Sequence, residues 1–288
     1  MKPFLVPILI HCLWALLSCL GSLHAQEATP SYVDSANWSI LAPGVISLPD
    51  IRETSPSLTA DGNTLVFART QNWGDKVPYL ATRANRDAPW QVQPLPFADT
   101  LYNLAISPDG QTIFMKQYDS LNQAKVSRAF RVDRTEDGWG EPIELDSLFN
   151  VNAGYFCPMA DGKLYLFAPG VRGSGIYVSY PHPDGSYSPP QWLSDAVNLT
   201  SRTTFDVLMH PDEDQLIVTH VFSDEEKKAG KGPRGLYHYQ KTAQGWGQGR
   251  YLRLPYGWGA TATPAGQLLF VDAGDLQIID LAVLGIDW

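Results

Sequence analysis

Five short stretches of this chain share one pattern of apolar and polar positions. They read SPSLTADGNTLVFAR at 55–69, NLAISPDGQTIFMKQ at 103–117, YFCPMADGKLYLFAP at 155–169, DVLMHPDEDQLIVTHV at 206–221 and GATATPAGQLLFVDA at 259–273. In each, a short run leads through Pro or Ala to Asp-Gly or its substitute, and a second apolar run follows. The Asp position falls at Asp61, Asp109, Asp161, Asp212 and Ala265, at intervals of 48, 52, 51 and 53 residues. The pattern predicts a β-hairpin. Asp-Gly offers the positive φ values of a tight turn, and Pro presets the entry to it. The returning runs LVFA, TIFM, LYLF, LIVT and LLFV are rich in β-branched and aromatic residues and have no helical period. They are nearly continuous, which predicts burial on both faces.

Two further elements repeat with the hairpin. One is a Trp-containing strand, around Trp38, Trp90, Trp139, Trp192 and Trp246. The other is a third strand, clearest in GIYVSY (175–180), GLYHYQ (235–240) and LQIIDL (276–281). About four strands in about 50 residues is the content of a propeller blade. The expected fold is therefore all-β: a β-propeller, five blades of four antiparallel strands, with a sixth, degenerate blade as the alternative. The phase of the repeat adds a detail. The first Trp strand precedes the first hairpin, and the last hairpin has a third strand but only a short tail. The strand around Trp38 is thus expected to complete the last blade and close the ring. No α-helix is expected after the N-terminal segment, and SDEEKKAGKGPRG (223–235) reads as a surface insertion.

SPDGQTIF (107–114) and DGWGEPIEL (137–145) resemble the WD40-like PD40 β-propeller repeat of TolB-type and other exported bacterial proteins, and the resemblance runs over nearly all of 31–288. It implies a propeller, and by the habit of that family a binding protein of the periplasm or envelope. The chain departs from the pattern at Glu213, where the turn Gly is expected, and at Ala265, where Asp is expected. Those two turns are expected to be distorted. The separate N-terminal domain of TolB has no counterpart, which argues against a Tol role. The sialidase box Ser-x-Asp-x-Gly-x-Thr-Trp is not met, because the Gly of SPDGQTIF stands one place early and the Trp is missing.

Composition supports a folded chain, with 44% apolar and 18% charged residues. The formal net charge of −9 argues against nucleic acid as a partner. MKPFLVPILIHCLWALLSCLGSLHAQEA begins with Lys2, an apolar run Phe4 to Leu20, and Ala25 as a cleavage position, which reads as an export signal over 1–25. Two alternatives stand beside it: a retained membrane anchor, and a lipoprotein signal in which LLSC ends at Cys19 as the lipidated residue. The remainder, 26–288, reads as one propeller domain, exported to the periplasm or the outer membrane, monomeric, and touching a membrane only through such an anchor. Cleavage after Ala25 removes Cys12 and Cys19 and leaves Cys157, so no internal disulfide is expected.

The recurring turn Asp residues are expected to shape turns rather than to act, and the recurring Trp residues to pack blades together. A site should break the symmetry. Six residues before each Asp position stand Ser55, Asn103, Tyr155, Asp206 and Gly259, which differ from blade to blade, with Arg52, Glu53, Arg202 and Trp258 nearby. Arg52, Glu53, Asn103, Tyr155, Arg202, Asp206 and Trp258 are therefore the candidate ligand-binding set, suited to a protein, peptide or glycan. The alternative is a carbohydrate hydrolase or lyase using Glu53 and Asp206 as paired carboxylates. His210 and His220 flank one hairpin and are a conceivable two-His metal pair, but neither H-x-x-x-H nor HExxH spacing occurs and no metal or other cofactor is expected. Cys157 lies on an apolar strand and reads as core. No nucleophile elbow, phosphate loop or dinucleotide motif is present.

Overall fold

The five hairpins form, and each opens a sheet. The computed structural model describes residues 31–72, 76–96, 101–118, 127–145, 153–170, 172–199, 203–230 and 232–288. The leader at 1–25 with Cys12 and Cys19, and Arg202, lie outside the described residues. After a short strand β1 (Trp38–Ile40), blade 1 holds β2 (Arg52–Leu58), β3 (Thr64–Thr70), β4 (Val77–Thr82) and β5 (Gln91–Pro94). Blade 2 holds β6 (Leu101–Ile106), β7 (Thr112–Tyr118), β8 (Ser127–Thr135), β9 (Gly138–Trp139) and β10 (Ile143–Glu144). Blade 3 holds β11 (Gly154–Pro158), β12 (Leu164–Gly170), β13 (Gly173–Ser179) and β14 (Gln191–Trp192). Blade 4 holds β15 (Thr203–Met209), β16 (Gln215–Val221), β17 (Gly235–Thr242), β18 (Gly245–Trp246) and β19 (Arg250–Tyr251). Blade 5 holds β20 (Trp258–Ala262), β21 (Gln267–Asp272) and β22 (Asp275–Asp280). In blades 2 and 4 the outer strand is split into two short pieces, both paired with the third strand. All pairing within the sheets is antiparallel, and the architecture is a five-bladed β-propeller.

The ring closes as the phase of the repeat requires. β1 pairs with β22, Trp38 opposite Ile279 and Ile40 opposite Gln277, so the fourth strand of blade 5 comes from the opposite end of the chain. One expectation needs correcting. The 223–235 insertion contains a short helix, α1 (Asp224–Lys228), begun by Asp224, Glu225 and Glu226 in its first turn, where negative charge suits the exposed N–H groups.

Five apolar clusters hold the blades face to face, and each takes one of the recurring Trp residues. Trp90 of blade 1 packs into the cluster of Leu65, Phe67, Leu269 and Val271 shared with blade 5. Trp139 joins the blade 1–2 cluster, Trp192 the blade 2–3 cluster, Trp246 the blade 3–4 cluster and Trp38 the blade 4–5 cluster. The packing role expected for the Trp set is thus seen in every blade. A cation of the same blade covers most of these rings: Arg83 lies 4.3 Å from the Trp90 centroid, Arg134 5.4 Å from Trp139 and Lys241 5.8 Å from Trp246.

The hairpin turns differ from the expected form in one respect. Only the Gly takes positive φ, 74° at Gly62 and at Gly110 and 84° at Gly162. The Asp instead accepts from the N–H two residues on, Asn63 N at 2.9 Å to Asp61 and Gln111 N at 3.0 Å to Asp109. The two divergent turns keep the same closure, Glu213 N to His210 O at 2.9 Å and Gly266 N to Thr263 O at 3.1 Å. The expected distortion is thus confined to Glu213, held at φ 57°. Its carboxylate is bonded by Lys163 and by Tyr165 Oη (2.8 Å) of blade 3, contacts that a Gly there would not make.

Blades 1 and 5 abut at the turns. A Cβ at Gly62 would stand 2.9 Å from Pro264 Cδ, besides requiring an L-residue at φ 74°. Gly62→Ala is expected to cost about 1–2 kcal/mol, read as a lowered thermal midpoint, whereas Gly266→Ala, at φ 73° in the equivalent turn with nothing within 4 Å, isolates the backbone contribution.

Candidate functional site

The innermost strand of every blade carries a β-bulge at one fixed place. Pairing with the second strand slips between Thr54 and Ser57, Tyr102 and Ala105, Gly154 and Cys157, Phe205 and Leu208, and Trp258 and Thr261. Inside each slip lies the residue six before the Asp position, and all five have left-handed backbone: Ser55 φ 55°, Asn103 52°, Tyr155 51°, Asp206 55° and Gly259 67°. Four of these are not Gly, and each costs on the order of 1–2 kcal/mol that surrounding structure must offset. The variable ring read from the sequence is therefore a ring of bulges.

These five residues form the inner level of a central cavity of about 560 Å³, well within the range of small-ligand sites. Three further levels follow toward the turns. The first is Pro56, Leu104, Phe156, Val207 and Ala260; the next is Leu58, Ile106, Pro158, Met209 and Ala262; the outermost is Ala60, Pro108, Ala160, Pro211 and Pro264. Ser57, Thr59, Thr261 and Thr263 line the walls between these levels and Asp161 and Glu213 stand at the turn end, so the cavity is polar at the ring of bulges, mainly apolar along its walls and charged again at the turns. Trp288 of the tail also lines it, with its ring 5.2 Å from that of His210. The tail is held there because Leu281, Leu284 and Ile286 are buried in the blade 4–5 cluster and Gln215 Nε2 donates to Asp287 O at 2.7 Å.

Asp206 is the charged residue of the polar level. It is 6% exposed, and its Oδ2 accepts from Gly259 N at 2.9 Å and from Thr219 Oγ1 at 3.3 Å. Burial outweighs these two bonds and pushes the carboxyl up to about 7. At the same level Ser55 Oγ donates to Asn103 Oδ1 at 3.4 Å, and Tyr155 packs its ring 5.0 Å from Phe205.

The remaining candidates separate from this group. Glu53 is fully buried outside the cavity. Its Oε1 accepts from Leu48 N at 3.2 Å and stands 3.7 Å from Arg69 Nε, with the Ser47 hydroxyl nearby, while Oε2 makes no hydrogen bond of good geometry among the described residues. Burial pushes this carboxyl too up to about 7, against the opposing pull of the Leu48 bond and Arg69. Arg69 in turn donates to Val45 O at 2.6 Å and Ile46 O at 2.8 Å, so Glu53 and Arg69 together grip the loop that follows the closing strand. Arg52 is exposed, its stem against Gly274, and Trp258 is half-buried against Tyr256. Asn103, Tyr155 and Asp206 are thus brought together, whereas Glu53 and Asp206 do not share a cavity. His210 and His220 do not face each other: His220 is buried and bonded to Thr204 Oγ1 at 3.0 Å and Tyr239 Oη at 2.6 Å, while His210 lies at the other end of the hairpin. Among the described residues no cluster of three His, Cys, Asp or Glu side chains is placed to hold a metal ion.

Cys157 has a structural task. Its Sγ accepts from Met209 N of blade 4 at 3.4 Å, as Ser57 Oγ at the same place in blade 1 accepts from Ile106 N of blade 2 at 3.0 Å. Burial pushes its thiol up to about 11, away from the reactive thiolate. The apolar levels and Trp288 were not singled out from the sequence, and Glu213 was read there only as a departure in a turn. The levels follow from the repeat register once the bulge is known; the tail lies outside the repeat and carries no signal.

No family profile and no curated protein sequence matches the chain. Among solved structures it is similar to TolB from Acinetobacter baumannii, at 12% identity and a TM-score of 0.47, over 78% of this chain and 53% of that one. It is similar also to a candidate TolB from Agrobacterium tumefaciens (15%, 0.49, 78% and 69%) and to a gluconolactonase from Xanthomonas campestris (12%, 0.46, 88% and 95%). The chain spans about half the length of the Acinetobacter protein. At such identities these likenesses concern the fold alone, and the ring itself rests on the strand pairing described above.

Both raised carboxyls have a consequence for stability. Their folded values lie above the ordinary 3.8 and 4.5, so their contribution favours folding at low pH and is lost as pH rises through about 7. Glu53→Gln and Asp206→Asn are each expected to shrink the fall in thermal midpoint between pH 4 and pH 8, at about 2–4 °C for each kcal/mol of relieved burial. Calorimetry across that range checks this; a fall as large in both variants as in the parent would show that neither carboxyl is perturbed.

Proposed function

We propose that this protein is a non-catalytic binding propeller whose central cavity takes the apolar part of a ligand, with its polar end against Ser55, Asn103, Tyr155 and Asp206. The single observation that carries the reading is the layered lining: one polar level at the ring of bulges and three apolar levels from there to the turns. Of the ligand classes considered from the sequence, a peptide side chain or a small amphiphile suits such walls. A glycan suits them less, because its many hydroxyls would lose water along mainly apolar walls where only the side chains of Ser57, Thr59, Thr261 and Thr263 offer replacement bonds. A retained buried carboxyl that weakens the fold at neutral pH is what a binding group looks like. The separation of Glu53 from Asp206 removes the carboxylate pair read from the sequence, and the other carboxylates lining the cavity, Asp161 and Glu213, are paired with Lys163 at the turn end; both observations support binding without a chemical step. The setting we propose is the bacterial envelope, reached through the leader at 1–25, with Cys19 as the lipidation candidate.

Mass spectrometry of small molecules released from the purified protein tests the reading. The parent is expected to release an unmodified ligand in stoichiometric amount. Ala262→Phe, which fills the third level, is expected to release at least tenfold less while its stability, read from the thermal midpoint, stays within about 1 kcal/mol of the parent. Equal recovery from both proteins would place the ligand elsewhere.

A further inference from the structure

We infer that the ligand of the cavity is a small primary amine with an apolar body, its ammonium seated on Asp206 Oδ1. The inference rests on the reading of the cavity as the binding site and names the chemistry of the ligand's polar end. Both hydrogen bonds that Asp206 receives, from Gly259 N and Thr219 Oγ1, fall on Oδ2. Among the described residues nothing donates to Oδ1, although Asp206 is 94% buried and lines the cavity. The bulge holds the carboxyl in place, since the Asp206 backbone is fixed at φ 55° and Oδ2 is tied to the neighbouring blade. An acceptor is thus prepared in advance with one oxygen vacant.

The charge around the cavity selects the donor. Asp206, Asp161 and Glu213 line it, and no Lys or Arg does among the described residues. Asp161 and Glu213 stand at the turn end, where Lys163 is paired to both. Three cations come near without lining the cavity: Lys116, whose Cδ lies 3.0 Å from a Cβ built on Gly154, Lys76, which shares the Tyr102 ring with it at 4.6 Å, and Arg234, stacked 4.7 Å from the Tyr256 ring centroid. A carboxylate or phosphate head would therefore meet a like charge at the polar level and no counter-charge inside the cavity. An ammonium would meet a carboxylate in an environment of low polarity, where a charge-assisted bond is strong. An alcohol would gain only the weaker neutral bond. The five residue steps from the ring to the outer level span about 15 Å of strand, which accommodates an aryl or alkyl body behind the amine.

Three probes with one body test this: 4-phenylbutylamine, 4-phenylbutan-1-ol and 4-phenylbutanoic acid, titrated calorimetrically into the full chain at pH 8, with Trp fluorescence followed in parallel. The amine is expected to bind at least tenfold more tightly than the alcohol, and the acid most weakly. Asp206→Asn, which keeps an acceptor for Gly259 N, is expected to erase the amine's advantage while leaving the alcohol within about threefold. An alcohol that binds the parent as tightly as the amine, or an amine advantage that survives in Asp206→Asn, would overturn the assignment of the head and leave the cavity reading standing. If none of the three binds the parent, both fall. Should Asp206→Asn fail to fold, the ratio of amine to alcohol in the parent decides alone.

Discussion

Everything in this molecule depends on the apolar contact between the face of one sheet and the face of the next. A four-stranded sheet is too small to be stable by itself, and its inner strands here are apolar on both faces. Leu65 and Phe67 look toward blade 5, and Val66 and Ala68 toward blade 2. Each blade is thus completed only by two neighbours. The recurring Trp sits at the outer end of each contact, and the hydrogen bonds that Ser57, Cys157 and Asp206 accept from backbone N–H groups of the following blade sit at the inner end. Apolar burial supplies the driving force, and these polar ties fix the rotation of one blade against the next.

The cavity is a by-product of that arrangement. Five inner strands meeting around an axis leave a space, and the bulge decides what faces it. The bulge re-aims one side chain toward the axis in each of four blades and leaves Gly259 in the fifth, which is why the inner level combines Ser, Asn, Tyr, Asp and Gly while the walls beyond it are mainly apolar. Asp206 shows the tension most clearly. It ties blade 4 to blade 5 through Gly259, yet it is a carboxyl where a neutral acceptor would serve the tie at less cost.

Much of this was legible in the sequence, and the limits have physical causes. The hairpins, the blade number, the packing Trp residues and the closing strand all follow from periodicity, because each is a consequence of burial and burial leaves a pattern. The variable ring was found too, at Ser55, Asn103, Tyr155, Asp206 and Gly259. Its backbone was not: of those residue types only Gly announces positive φ, and Tyr155 and Ser55 adopt it under tertiary constraint. Glu53 was misjudged for the same reason. Its position two before Ser55 suggested the rim, but the slip in pairing between Thr54 and Ser57 separates the two sides of the ring, and Glu53 turns to Arg69 and the 45–48 loop instead. Glu213 looked like a defect in a turn because its partners, Lys163 and Tyr165, belong to another blade. α1 is a single turn of charged residues with no apolar face, so hydrophobic periodicity could not reveal it.

The closing strand bears on how the chain assembles. Four of the five sheets pair only segments that are near one another in sequence, and these can form as soon as their residues are free. The fifth must wait, because Trp38 meets Ile279 across almost the whole described chain. The entropy of closing so long a loop rises only slowly with its length, but it falls due in one late event. The rate at which this ring forms, and the rate at which it springs open, are therefore expected to be set at the three residues of β1, while the blades between them equilibrate quickly.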